Sequence, residues 1–198
     1  LRVLTRVWKR EVAGNVVLVT SMPVRSYRGK APTISASAYV DATALIIGDV
    51  AVADDASIWP MVVVRGDVQA IRIGARTNIQ DGSVLHVTHA SRFAAQGHAL
   101  ELGADITVGH RAILHGCRIG DGCLIGMAAT VMDGAVLEAG VLLGAGSVVT
   151  PGEQLEGGHL WVGTPARRVR PLREEETEYL KYSAAHYVGL KNHYLGEA

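Results

Sequence analysis

The chain has 198 residues, with 19 basic and 19 acidic side chains, 23 glycines and only 5% aromatics. That length allows one domain with an appendage. A zero net charge gives no electrostatic case for nucleic acid or an anionic membrane surface. The apolar runs fall far short of the roughly 20 residues of a membrane span.

Residues 1–21 (LRVLTRVWKREVAGNVVLVTS) read as an upstream extension that is not native to the domain, with Met22 the expected first residue. A signal peptide is the competing reading, but the run VVLV is shorter than its core of roughly 7–15 residues. From residue 23 to 171 an aliphatic residue recurs every six positions: Ile34, Val40, Ile46, Val52, Ile58 and Val64, then Ile73, Ile79 and Leu85, then Leu102, Val108 and Leu114. After one five-residue step the series runs from Ile119 through Ile125, Val131, Leu137, Leu143, Val149 and Leu155 to Trp161. Glycine or another small residue commonly follows two to four places later, as in LGAGSV, where a tight corner leaves no room for a side chain. Such a period predicts an all-β solenoid, a parallel β-helix with three hexads to a triangular coil and the aliphatics filling the prism. The pattern resembles the left-handed β-helix family, and the handedness follows from that resemblance.

Two interruptions matter. Residues 86–101 (HVTHASRFAAQGHALE) hold about eleven extra residues that must loop outward from the frame. After Pro171 the period changes. Residues 172–195 place Leu180, Ala184, Tyr187, Leu190, Lys191 and Tyr194 near helical spacing, with three glutamates in the first turns. They are expected to form one amphipathic helix packing back on the prism. Cys117 and Cys123 are too few for a disulfide scaffold and read as buried, reduced thiols of a cytoplasmic protein.

The repeat phase also places the histidines. Val64, Leu85 and Leu114 fall on one face of three successive coils, so Arg65, His86 and His115, each one residue later, stack in an outward column about 5 Å per step. His110 lies on the preceding face and cannot easily turn the corner to join them. A neighbouring subunit can supply it, and a threefold homotrimer would then carry three identical sites across its interfaces. A single histidine on a solenoid face is ordinarily a solvated residue, and His89, His98, His159, His186 and His193 are read that way. Three imidazoles and one open position suit Zn2+, with Fe2+ or Co2+ as alternatives, and argue against Ca2+ or Mg2+. Around the column lie Arg65 and Asp67 of VVVRGDV, then Asn78, Gln80 and Asp81 of TNIQDG. Gln80 can orient a water through its amide. Asp67 or Asp81 can pair with Arg65 or hold a ligand's hydrogen bond. The plain reading of RGD and QDG is corner turns with a structural ion pair.

The motifs IWPMVVVRGDV, IRIGARTNIQDGSVLHVTH, ITVGHRAILHGCRIG, LIGMAATVMDGAV and LWVGTPARRVRPL resemble the γ-class carbonic anhydrase family. The likeness extends to its bacterial branch of the YrdA and PaaY type, over about residues 23–195. The resemblance implies a zinc ion at each trimer interface, with His86 and His115 from one subunit and His110 from the next. It also implies functional roles for Arg65, Asp67, Asn78, Gln80 and Asp81, and reversible hydration of CO2 to bicarbonate by zinc-bound hydroxide. One departure stands out. Active members carry a glutamate just after the R-x-D motif and another in an acidic loop, where this chain has Val68 and an acid-free 93–99. Slow hydration is therefore expected. The alternatives are an acyl-CoA thioesterase using the same metal, a metal-free hexapeptide acetyltransferase, and a non-catalytic trimer stapled by zinc.

Overall fold

Aliphatics at every sixth position can share one interior only if the chain turns a corner after each hexad. The computed structural model, which describes residues 8–12, 15–19 and 23–196, follows that path. The expectation for residues 1–21 lies largely outside the described residues. Only an antiparallel pair, Trp8–Val12 with Asn15–Val19, is described there. From residue 23 the chain winds as a left-handed parallel β-helix of about eight turns, ending in a single helix.

The register confirms the three phases. One face stacks Ile46, Val64, Leu85, Leu114, Val131 and Val149 in successive coils. The second stacks Ile34, Val52, Ile73, Leu102, Ile119, Leu137 and Leu155. The third stacks Val40, Ile58, Ile79, Val108, Ile125, Leu143 and Trp161. Apart from Ile34 and Val40 in the first coil, every repeat aliphatic is buried. Burial of each contributes roughly 1.5–3 kcal/mol, so the ladder as a whole holds the coils. A second set of inward positions, two residues before each aliphatic, takes smaller side chains such as Ala44, Val62, Ser83, Ala112 and Ala129. Cys117 and Cys123 occupy two of these slots as free thiols, and burial pushes both up to about 12.

Three features depart from a plain reading of the repeat. The nine-residue step from Val64 to Ile73 is one continuous strand, Val63–Ile73, that rounds a corner and joins two faces. The last strand, Arg167–Pro171, reverses and pairs antiparallel with His159–Val162. Several corners put a side chain, not glycine, in the left-handed region: Asp55, Met61, Arg76, Asp105, Arg111 and Ala128 all have φ between 57° and 60°. At one corner column Arg76 and Asp105 tie two coils together through paired 2.6 Å bonds.

Glycine has two distinct uses here, and substitution separates them. Gly122 sits at φ 64° with open space around it, so Gly122→Ala is expected to cost only the left-handed conformation, about 1–2 kcal/mol. At Gly74 an added Cβ would lie 2.3 Å from the carbonyl oxygen of Gly103 in the next coil. Relief there requires the coils to part, so Gly74→Ala should lower the thermal midpoint further than Gly122→Ala. Equal losses would show that the close approach of the coils is unimportant.

The helix spans Glu174–Leu195, two residues later than the expected start. Arg173 is still extended, at ψ 160°, because it is the N-cap; its backbone N–H donates to Glu176 at 2.8 Å. The helix packs on the third face. Tyr187 and Tyr194 meet Trp59, with ring centroids 5.6 and 5.2 Å away. Ser183 bonds Thr107, and the buried Lys191 ammonium is held by Asp55 at 2.9 Å. Among the described residues no helix is long and apolar enough to cross a membrane.

Candidate metal centre

Strand Val63–Ile73 carries Arg65 and Asp67, strand Val84–His86 carries His86, and strand Ile113–His115 carries His115. His86 and His115 are register partners on adjacent coils, so the column inferred from the phase is present. Their rings face each other with 2.9 Å between Nδ1 of His86 and Nε2 of His115. Each outer ring nitrogen meets a carboxylate. Nε2 of His86 is 3.2 Å from Asp67, whose other oxygen accepts from Arg65 at 2.5 Å. Nδ1 of His115 is 2.7 Å from Asp133. Burial works against the charge on Asp67, but the bonds from Arg65 and His86 outweigh it and hold the carboxyl below its usual range. Burial, helped by the Arg65 and His115 charges, lowers the pKa of His86 and favours the neutral imidazole.

The remaining candidates gather elsewhere, on the third face and its corners. Asn78 is fully buried and donates to the carbonyl of Ile106 and to Thr107, at 3.2 and 3.0 Å. Its amide oxygen accepts from Gln80 at 3.1 Å, which fixes the Gln80 side chain. Nδ1 of His110 lies 3.0 Å from Asp81. So Asp67, not Asp81, pairs with Arg65, and Asp81 serves His110. Among the described residues no hydrogen bond or ion pair joins these four residues to the His86–His115 group. Nor, among the described residues, are three His, Cys, Asp or Glu side chains of one chain placed to hold a metal ion. The chain thus carries its candidate residues as two separate groups on different faces.

The family model for bacterial transferase hexapeptides (six repeats) matches residues 116–151. Over 174 residues the chain is 52% identical to protein YrdA of Escherichia coli, covering 88% of this chain and 95% of that protein. It is 38% identical to a carbonic anhydrase of Geobacillus kaustophilus over 85% of this chain and 88% of that one. The chain belongs to the γ-carbonic-anhydrase-like family of hexapeptide-repeat proteins. A crystal structure of a hexapeptide transferase family protein from Anaplasma phagocytophilum superposes with a TM-score of 0.80 at 40% identity, covering 86% of this chain and 97% of that one.

Membership of this family implies a metal, and the donor set tests whether these residues suit one. A carboxylate beside the outer nitrogen of each ring requires the proton there. Both inner nitrogens are then left as lone pairs facing one another, an arrangement that a cation between them reconciles. Ligand nitrogens on a tetrahedral Zn2+ stand about 3.3 Å apart for bonds of about 2.0–2.1 Å, so the pair at 2.9 Å would open by about 0.4 Å to take the ion. The residues fit. Sequence reasoning missed Asp133, because it followed only the residue immediately after each aliphatic. Asp133 lies two places after Val131, which stacks on Leu114, so extending the column by one coil reaches Met132 and stops one residue short of it. Of the other histidines, His98 packs against Gly116 and Gly134, the residues that follow His115 and Asp133, and the remaining four lie apart from both groups. His89 and His193 are exposed, His186 stacks on Tyr182, and His159 bonds the carbonyl of Gly157.

Proposed function

We propose that the chain forms a homotrimer and interconverts CO2 and bicarbonate at a Zn2+ held by His86 and His115 of one subunit and His110 of the partner subunit. The observation that carries this reading is the facing pair of imidazoles, oriented by carboxylates on their outer nitrogens, with the third candidate turned away on another face. Val84 and Ile113 support it. They stack in register beside the pair and remain 38% and 43% exposed in the single chain, apolar surface that a neighbouring subunit would cover.

A Zn2+ in such a site lowers the pKa of a bound water to about 7, a magnitude known from carbonic anhydrase. The chain's own groups do the rest. Arg65 and Asp67 hold His86, and Asp133 holds His115. Asp81 fixes His110 in the same manner. Gln80, anchored through Asn78, presents its remaining amide atoms to orient water and the reacting carbon dioxide. The products are bicarbonate and one proton.

The test is to quantify metal per chain and to measure CO2 hydration and acyl-CoA hydrolysis side by side. Hydration that tracks metal content is expected; acyl-CoA hydrolysis alone would assign the site to thioester chemistry. Light scattering should give a mass of three chains of 21.0 kDa. A monomer retaining its metal would contradict a site shared between subunits.

A further inference from the structure

Asp133 does more than touch His115. Its second carboxylate oxygen accepts from the hydroxyl of Thr88 at 2.8 Å. Thr88 is the second residue past His86, where the chain leaves the prism for the insertion. The base of the insertion closes there, because the backbone N–H of Thr88 donates to the carbonyl of His98 at 3.0 Å and that of His98 donates back at 2.9 Å. Two lines of bonds therefore run Arg65, Asp67, His86 and His115, Asp133, Thr88, and they meet where the two rings face each other. The first begins on the 63–73 strand and the second ends on the loop. Gln69 of that same strand also holds the loop, through the carbonyl of Gln96 at 2.8 Å.

We infer that Asp133 and Thr88 are positioning residues for the metal centre, and that through them the insertion at 87–99 sets how tightly the centre binds its ion. The inference rests on the reading of His86 and His115 as ligands. Asp133 keeps the proton of His115 on Nδ1 and the Nε2 lone pair aimed at Nδ1 of His86. With only one oxygen engaged, the carboxylate could rotate or turn to solvent. The Thr88 hydroxyl takes the other oxygen and locks its plane. The insertion is thus a clamp on a ligand as well as a surface loop.

The experiment is a competition titration of the purified full-length protein with Zn2+ against a chromophoric chelator, alongside the visible spectrum of the Co2+ form. Asp133→Asn, which keeps shape and loses charge, should weaken Zn2+ binding about 10- to 100-fold. Thr88→Val, nearly isosteric but without the hydroxyl, should weaken it by a smaller factor and alter the Co2+ bands, while Thr88→Ser should restore both. A merely structural role for Thr88 would lower the thermal midpoint without moving affinity or spectrum. Tight binding by wild type with unchanged affinity in Asp133→Asn and Thr88→Val would overturn this inference alone. Failure of the wild type to bind either ion would overturn it together with the reading of the histidines as ligands.

Discussion

His110→Ala is expected to purify with less than about a tenth of the wild-type metal, because a centre with three protein ligands has none to spare. His86→Ala and His115→Ala should fall equally far. The three substitutions are physically unlike, which makes agreement among them informative. His86 and His115 lie side by side on one face, and losing either leaves its neighbour with an unmatched lone pair and its carboxylate without a donor. Among the described residues His110 bonds neither ring; its Nδ1 lies 3.0 Å from Asp81. Its loss can empty the site only if the imidazole reaches the ion from another subunit. His89→Ala is the control, since His89 is exposed on the insertion, and it should keep its full complement. Metal analysis of the four purified variants decides. Full occupancy in His110→Ala would mean that the third ligand is another group.

The second large effect concerns the proton. Hydration releases one proton for each bicarbonate formed, and it must leave the centre before the next cycle. Val68, directly after Asp67, is 43% exposed and offers it no acceptor. The insertion carries no acid between 93 and 99. Wild-type turnover should therefore be slow and rise with added imidazole, which would carry the proton instead. Val68 lines a cavity of about 180 Å3 with Arg28, Lys30, Asp49 and Asp67, so a longer side chain has room there. Val68→Glu is expected to raise buffer-independent turnover on the order of 10²-fold, the lower end of the range for a positioned acid–base group. If Val68 instead packs against a neighbouring subunit, the buried carboxylate would weaken the trimer and the rate would not rise. Rate and mass measured on the same sample separate the two. Fast wild-type turnover without buffer would place the proton carrier elsewhere.

The coils and the histidine column were legible because both follow from one number, the period of six. Once Val64, Leu85 and Leu114 share a face, the residues after them must share a column, whatever the loops between do. The features missed are those that do not repeat. Asp133 acts across a corner from the next coil, and Thr88 acts from inside the insertion, where no phase exists. The left-handed corners at Arg76 and Asp105 carry long charged side chains that pair between coils, so a search for glycine passes over them. The closing strand Arg167–Pro171 is mostly exposed and has no apolar alternation to announce it. Residues Arg65 and Asp67 read equally well as a corner ion pair. The phase put Arg65 in the column and left Asp67 as its partner, and the contact between Asp67 and His86 ties that pair to the ring.

The claim that each centre is assembled from two subunits has one direct test. His110→Ala chains keep His86 and His115, and His115→Ala chains keep His110, so neither variant alone forms a complete site. Equal amounts are co-expressed, the trimers purified, and zinc counted per chain. Random mixing makes a complete site wherever a His110→Ala chain meets a His115→Ala chain in the correct order, so about one quarter of wild-type zinc should return. A mixture as empty as its two parents would contradict the shared centre.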